Sequence, residues 1–247
     1  MKKLTIIITA LVLALGMAQC KKSETSAKKS VFVTLEANIG NDAKTDITLP
    51  DGLVNWSAGD KLYVVGANQG YLGTLTTSEN GNKTAFFEGE LLAITEGQDV
   101  HFYYFGKNGA TISESTTTYD YSIATQYGAL DSIENTMHLM HGKATATEGQ
   151  LHFSVSMDNM MAIAYFDVTD FNTCTAINTR KLDLKTGTWS DNGTPGIITL
   201  NSPSSTYYMA LIPSETKQTL NFASGHELNR RIDAGKYYTD NGNPIKP

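Results

Sequence analysis

Val31, Val33, Leu35 and Ala37 alternate with Phe32, Thr34 and Glu36, the two-residue period of a strand with one buried face. Short apolar segments at 45–49, 61–65, 84–91, 100–105, 151–157, 162–169, 180–184, 197–200, 206–212 and 218–222 predict further strands. Between them lie the turn sequences Pro50-Asp51-Gly52, Glu79-Asn80-Gly81-Asn82, Lys107-Asn108-Gly109 and Asp191-Asn192-Gly193, whose residue types tolerate the tight and left-handed conformations of turns. No long amphipathic helix stands out. Short strands at this spacing favour an antiparallel sandwich over βαβ units. The stretch 106–150 is the least regular, and Leu151-His152-Phe153-Ser154-Val155 opens a second series of strands, which places a domain boundary near 148.

The amino terminus follows a different pattern. Met1-Lys2-Lys3 is a positive n-region, and Leu4 to Leu15 is an apolar stretch too short to cross a hydrocarbon core of roughly 30 Å. Leu15-Gly16-Met17-Ala18-Gln19-Cys20 then closes it, followed by Lys21-Lys22-Ser23-Glu24. A lone cysteine ending a signal peptide resembles a bacterial lipobox, in which the thiol is acylated and becomes the new amino terminus. The alternative is ordinary secretion with cleavage after Ala18, since Gly16 and Ala18 satisfy the small-residue pattern. The lipoprotein reading gives a signal peptide at 1–19 and a polar tether at 20–30 carrying the lipidated Cys20, ahead of domains at 31–148 and 149–247.

Composition sharpens the picture. Of 247 residues only 18% are charged, against roughly 25% in an average soluble domain. Lys+Arg is 19 and Asp+Glu is 25, a net charge of −6, which excludes the basic face a nucleic-acid binder needs. With 40% hydrophobic residues the chain is also no acidic disordered tail. The 12 tyrosines and 9 phenylalanines suit strands. Of the two cysteines, Cys20 is accounted for as an anchor, and Cys174 lies in Asn172-Thr173-Cys174-Thr175 with no nearby base to stabilise a thiolate. It reads as a small half-buried residue.

Few residues suggest chemistry. His138-Leu139-Met140-His141 has an i, i+3 spacing, yet no HExxH frame or third ligand accompanies it, so it reads as a pair of loop histidines. His101, His152 and His226 fall singly. Asp191-Asn192-Gly193 and Asp240-Asn241-Gly242-Asn243 are similar to fragments of calcium loops but lack the spaced acids of an EF-hand and read as tight turns. There is no nucleophile elbow, Walker loop or dinucleotide fingerprint. The expectation is a non-enzymatic protein without metal or cofactor.

An ordered series of segments resembles the fimbrillin-like family, surface lipoproteins and pilin subunits of anaerobic Gram-negative gut and oral bacteria. It begins with Val54-Asn55-Trp56-Ser57-Ala58-Gly59-Asp60-Lys61-Leu62-Tyr63-Val64, in which Gly59-Asp60 makes a turn into a strand and Trp56 is expected to pack over the sheet edge. Phe86-Phe87-Glu88-Gly89-Glu90-Leu91, the aromatic run His101 to Phe105, Gln126 and Met137-His138-Leu139-Met140-His141-Gly142 follow. Leu151-His152-Phe153, Met160-Met161-Ala162-Ile163, Tyr207 to Pro213 and Ala234 to Tyr238 complete it.

The resemblance implies an all-β chain of two tandem transthyretin-like antiparallel β-sandwich domains after a lipoprotein signal peptide. It also implies an outer-membrane lipid anchor and partnership with other pilin subunits by donor-strand exchange, in which a first strand is cut away and replaced. Here the strand would be about 31–39, with the processing loop at Asn41-Asp42-Ala43-Lys44 and Lys44 as the candidate residue. The first arginine is Arg180, and only Thr239 to Pro247 follow Tyr238, so a tip, anchor or accessory subunit fits better than a shaft. Asp131-Ser132-Ile133 resembles the O-glycosylation signal of such bacteria, with Ser132 as acceptor. A host or bacterial surface ligand is a further expected partner. The alternative function is a surface glycan-binding lipoprotein in which exposed aromatics such as Trp189, beside Ser190 to Thr194, stack on sugars; core packing is the favoured role for Trp189.

Overall fold

The computed structural model describes residues 29–40, 55–167, 172–201, 205–225, 227–240 and 243–245. These are nearly all strand and turn. In chain order the first part holds β1 (Ser30–Ile39), β2 (Lys61–Gly66), β3 (Gly70–Thr76), β4 (Thr84–Leu92) and β5 (Asp99–Phe105). Then come β6 (Thr118–Ser122), β7 (Thr125–Gln126), the short helix α1 (Leu130–Thr136), β8 (Leu139–Thr145) and β9 (His152–Asn159). The remainder is β10 (Ala162–Asp167), β11 (Thr173–Asp183), β12 (Thr188–Trp189), β13 (Thr194–Leu200), β14 (Thr206–Leu211), β15 (Lys217–Phe222), β16 (Glu227–Arg231) and β17 (Tyr237–Tyr238). The predicted segment 45–49 and the ends beyond Asp167 lie outside the described residues.

Seven strands close into a barrel in the order β1-β4-β3-β2-β5-β8-β9. Every pairing is antiparallel except the last, where β1 runs parallel to β9 from Thr34↔His152 to Ile39↔Met157. His152 to Val155, in the run expected to open the second domain, therefore belongs to the strand that seals the first. Conversely β6 and β7, from the irregular 106–150 stretch, join the second part: β6 pairs with β11 and β7 with β13. Sheet membership thus crosses position 148 in both directions. The rest forms a three-stranded sheet, β14-β10-β17, facing a larger one, β16-β15-β11-β13-β7.

Two cores explain the burial pattern. The barrel interior takes alternate residues: Val33, Leu35, Ala37 and Ile39 from β1, Leu62 and Val64 from β2, Val100, Phe102 and Tyr104 from β5. Trp56 sits inside this core instead of over a sheet edge; its Nε1 donates to the Ala37 carbonyl at 3.0 Å and its ring meets Phe87 and Tyr104 edge-on. The second core lies between the two sheets, where Phe166, Tyr207, Met209, Ile198 and Phe222 meet. The opposite faces of β2, β5 and β8 also reach into it, with Tyr63, Val65, Tyr103, Phe105 and Leu139. That is why His101 to Phe105 is unbroken by exposed positions: both faces of β5 are buried, so alternation disappears.

Candidate functional site

β1 is the strand on which the barrel's closure depends. It pairs with β4 from Ser30↔Leu92 to Asn38↔Thr84 and with β9 on its other side. Its inner residues Val33, Leu35 and Ala37 are completely buried, while Phe32 stands 56% exposed outside. Further bonds pin its length: Thr34 Oγ1 lies 2.8 Å from His152 Nδ1, Thr34 N donates to the Leu151 carbonyl at 2.9 Å, and Ile39 N to the Lys83 carbonyl at 2.9 Å. Burying a Val, Leu or Ile side chain contributes about 1.5–3 kcal/mol each, so intact β1 does not leave spontaneously. Without it, the facing edges of β4 and β9 would present unpaired amides and carbonyls above an apolar slot.

The edges of β14, β13 and β16 are blunted locally. Gln126, fully buried, accepts from Ala210 N at 2.7 Å and donates to the Ala210 carbonyl at 3.0 Å. Tyr208 N donates to the Gly128 carbonyl at 3.0 Å. Segment 126–128 thereby covers the outer edge of β14 in place of a strand. On β13, Thr199 N and Asn201 N donate to residues 124 and 126, so by strand alternation Pro195 and Ile197 share that side. Pro195 brings no N–H, and Asn178 Nδ2 donates to the Ile197 carbonyl at 3.0 Å. Asn178 crosses at Gly196, where an added Cβ would come within 2.5 Å of its side chain. β16 carries Arg230 and Arg231 at the sheet margin, charges that resist strand addition.

Cys20 and Lys44 lie outside the described residues, as does His226. Ser132 is half-buried on α1, between the exposed Asp131 and the core residue Ile133. His138 and His141 are not loop histidines. They lie at and just before β8, where i, i+3 puts them on opposite faces. His138 faces the barrel interior, its Nε2 2.6 Å from Asn159 Oδ1. His141 faces the second core, where its Nε2 lies 2.9 Å from Nδ1 of His101, a pairing no spacing in the sequence revealed. Desolvation lowers the pKa of His138 and His101, and with the neighbouring His101 takes His141 down to about 4. Among the described residues no group of three potential ligands could hold a metal, and no helix is long and apolar enough to cross a membrane.

Cys174 is fully buried, not half-buried, and burial pushes its thiol up to about 12. Trp189 packs against the second core at its margin, 5.9 Å from Tyr121 with the Arg180 guanidinium 5.1 Å over its ring. Of the candidate calcium fragments, residues 241 and 242 lie outside the described residues. Asp191 Oδ1 accepts from Gly193 N and Lys181 N, each at 3.1 Å, and Asp240 and Asn243 exchange two backbone bonds. Asp60 accepts from Ser57 N at 2.7 Å and Tyr104 Oη at 3.2 Å. Burial nevertheless raises its pKa.

No family model matches the sequence, and no curated protein matches it. Solved structures do. A candidate cell adhesion protein from Bacteroides uniformis superposes with a TM-score of 0.50 at 14% identity, covering 85% of this chain and 94% of its own. A fimbrial assembly protein from Parabacteroides distasonis aligns at 0.46 and 13%, covering 88% and 91%. The fimbrial anchor protein of Porphyromonas gingivalis aligns at 0.45 and 9%, covering 84% and 83%. What the Bacteroides uniformis protein shares with this chain is the fold, and that fold accords with the fimbrillin-like resemblance of the sequence.

Proposed function

We propose that this protein is a non-enzymatic cell-surface subunit that acts in pilus assembly or adhesion, with β1 as its exchangeable strand. The observation that carries the reading is the barrel closed by one apolar strand, while the edges of β14 and β13 are capped and that of β16 is charged. A partner's strand can extend this barrel only by taking β1's place, antiparallel to β4 and parallel to β9. Cys20 supplies a lipid anchor in the outer membrane, and the loop at Lys44 is where the chain would be cut. The absence of any arginine before Arg180 favours a tip, anchor or accessory role over a shaft. Ser132 is the candidate O-glycosylation acceptor, and intact mass of the native protein tests it: a hexose increment is expected there.

A protease site inserted between Asn41 and Lys44 of the full chain tests the central reading. After cleavage, a labelled synthetic peptide of residues 30–39 is expected to enter the barrel, whereas uncut protein excludes it. A peptide with Leu35 replaced by Asp should fail to enter. Equal uptake before and after cleavage, or none in either case, would overturn the exchange mechanism.

A further inference from the structure

We infer that the His101–His141 pair is an acid-sensitive latch holding the turn between β11 and β12 onto the barrel wall, and that acidification releases this turn. The turn spans 183–188. Asp183 Oδ1 accepts from Lys185 N at 2.8 Å and Thr186 N at 3.2 Å, and Gly187 N donates to the Asp183 carbonyl at 3.0 Å. Leu184 is completely buried in the second core. Its carbonyl accepts a 2.9 Å bond from Tyr103 Oη. The ring of Tyr103 stacks on His141 with centroids 4.9 Å apart, and the His141 and His101 rings meet edge to edge, their planes 15° apart and their centroids 5.2 Å apart. Gly187 closes over the pair: at φ +70° its absent Cβ would fall 2.3 Å from His141 Cε1. Only glycine permits that approach.

The two imidazoles face each other nitrogen to nitrogen, one donating and one accepting, an arrangement made for neutral rings. A first proton puts a charge beneath Gly187, which offers no counter-charge. A second leaves two donors opposed. The surrounding ionisable groups do not compensate. On β5 and β8, Asp99 and Lys143 bind each other at 3.2 Å and are largely solvated. Lys143 opposes protonation of both rings, and Asp99 favours it only at His101. Asp183, on the turn itself, also favours it at His101 but is engaged by its own amides. Burial raises the pKa of Tyr103 beside the pair, so it stays neutral, and the Tyr63 hydroxyl on β2 accepts from Ala110 N at 3.0 Å. Lys185 adds positive charge on the turn.

The sign follows directly. The ordinary imidazole value is 6.5 and His141 is held at about 4, so the latched state favours the neutral ring. Latching is complete above 6.5 and is lost as pH falls from there toward 4. For one such ring the released population at pH 4.5 grows by roughly seventyfold relative to pH 7.5.

Hydrogen exchange on the full chain tests this. Corrected for intrinsic rates, protection of the 183–188 amides is expected to fall by roughly fifty- to a hundredfold between pH 7.5 and 4.5, while the β1–β4 ladder keeps its protection. His141→Phe retains a flat ring without a titrating nitrogen and should remove most of this pH dependence. Unchanged pH dependence in that variant overturns the latch. Should the variant fail to fold, ring ¹⁵N shifts of the unaltered protein decide: titration of both rings in step with loss of protection at Gly187 supports it, and titration with Gly187 still protected overturns it.

Discussion

Gln126→Leu offers a direct measure of how edge capping stabilises the second part. The side-chain amide of Gln126 holds both backbone groups of Ala210, at 2.7 and 3.0 Å, and neither residue reaches solvent. Leucine fills a similar volume but satisfies neither group. A buried unpaired backbone N–H or C=O costs about 1–3 kcal/mol, and the gain from an apolar side chain returns about 1 kcal/mol. The net loss is therefore on the order of 2–4 kcal/mol, a fall in Tm of roughly 5–12 °C for a chain of this size. Denaturant titration at several protein concentrations is the assay, because an uncovered β14 edge should also promote association. Gln126→Glu adds a pH test. Its protonated carboxyl can both accept and donate as the amide does, whereas its ionised form cannot donate to the Ala210 carbonyl. Burial then raises the folded pKa above the unfolded value of about 4.3. The variant should approach wild-type stability below that value and fall behind as pH rises through the folded pKa. A Leu variant within about 0.5 kcal/mol of wild type, the usual range for an inconsequential surface change, would refute the capping argument. So would a Glu variant with the same deficit at pH 4 and pH 7.

Leu35→Ala, in the middle of the buried face of β1, should cost about 2–5 kcal/mol in denaturant titration and speed peptide uptake after cleavage near Lys44. Cys174, with its thiol pushed up to about 12, should be alkylated at pH 8 roughly a thousandfold more slowly in the native protein than in the unfolded chain, as read by mass spectrometry. Cys20→Ser should move the protein from the membrane fraction to the soluble one; persistence in the membrane fraction would refute the lipid anchor.

The strands legible in the sequence are those buried on one face, which alternate, and those buried on both, such as β2 and β5, which read as unbroken apolar runs. The alternation of Val31 to Ala37 and the apolar residues of 61–65, 84–91 and 218–222 coincide with β1, β2, β4 and β15. β3 escaped because Gly70 and Gly73 interrupt its pattern, Gly73 marking a register shift where β2 meets it. β6 and β7 are short and polar, and only their distant partners on β11 and β13 make them strands. The same holds for the site. Gln126 was visible as one residue of the fimbrillin-like series, but its bonds to Ala210, 84 positions away, were not. His101 and His141 meet because β5 and β8 pair with Tyr103 opposite His141. That register is a property of the closed barrel and leaves no mark in local spacing.

The interlaced strands have a consequence for how the chain acquires its shape. Thr34 finds its partner His152 118 positions later, and β6 waits for β11, still further along. A chain delivered amino terminus first can therefore pair β1 with β4 alone, leaving its other edge open until 159 residues have emerged, and begins the second part with β6 before the barrel can close. Such long-range closure slows folding and ties both halves into one cooperative event. It also lengthens the time in which β1 is available to whatever binds exposed strands before its own barrel does.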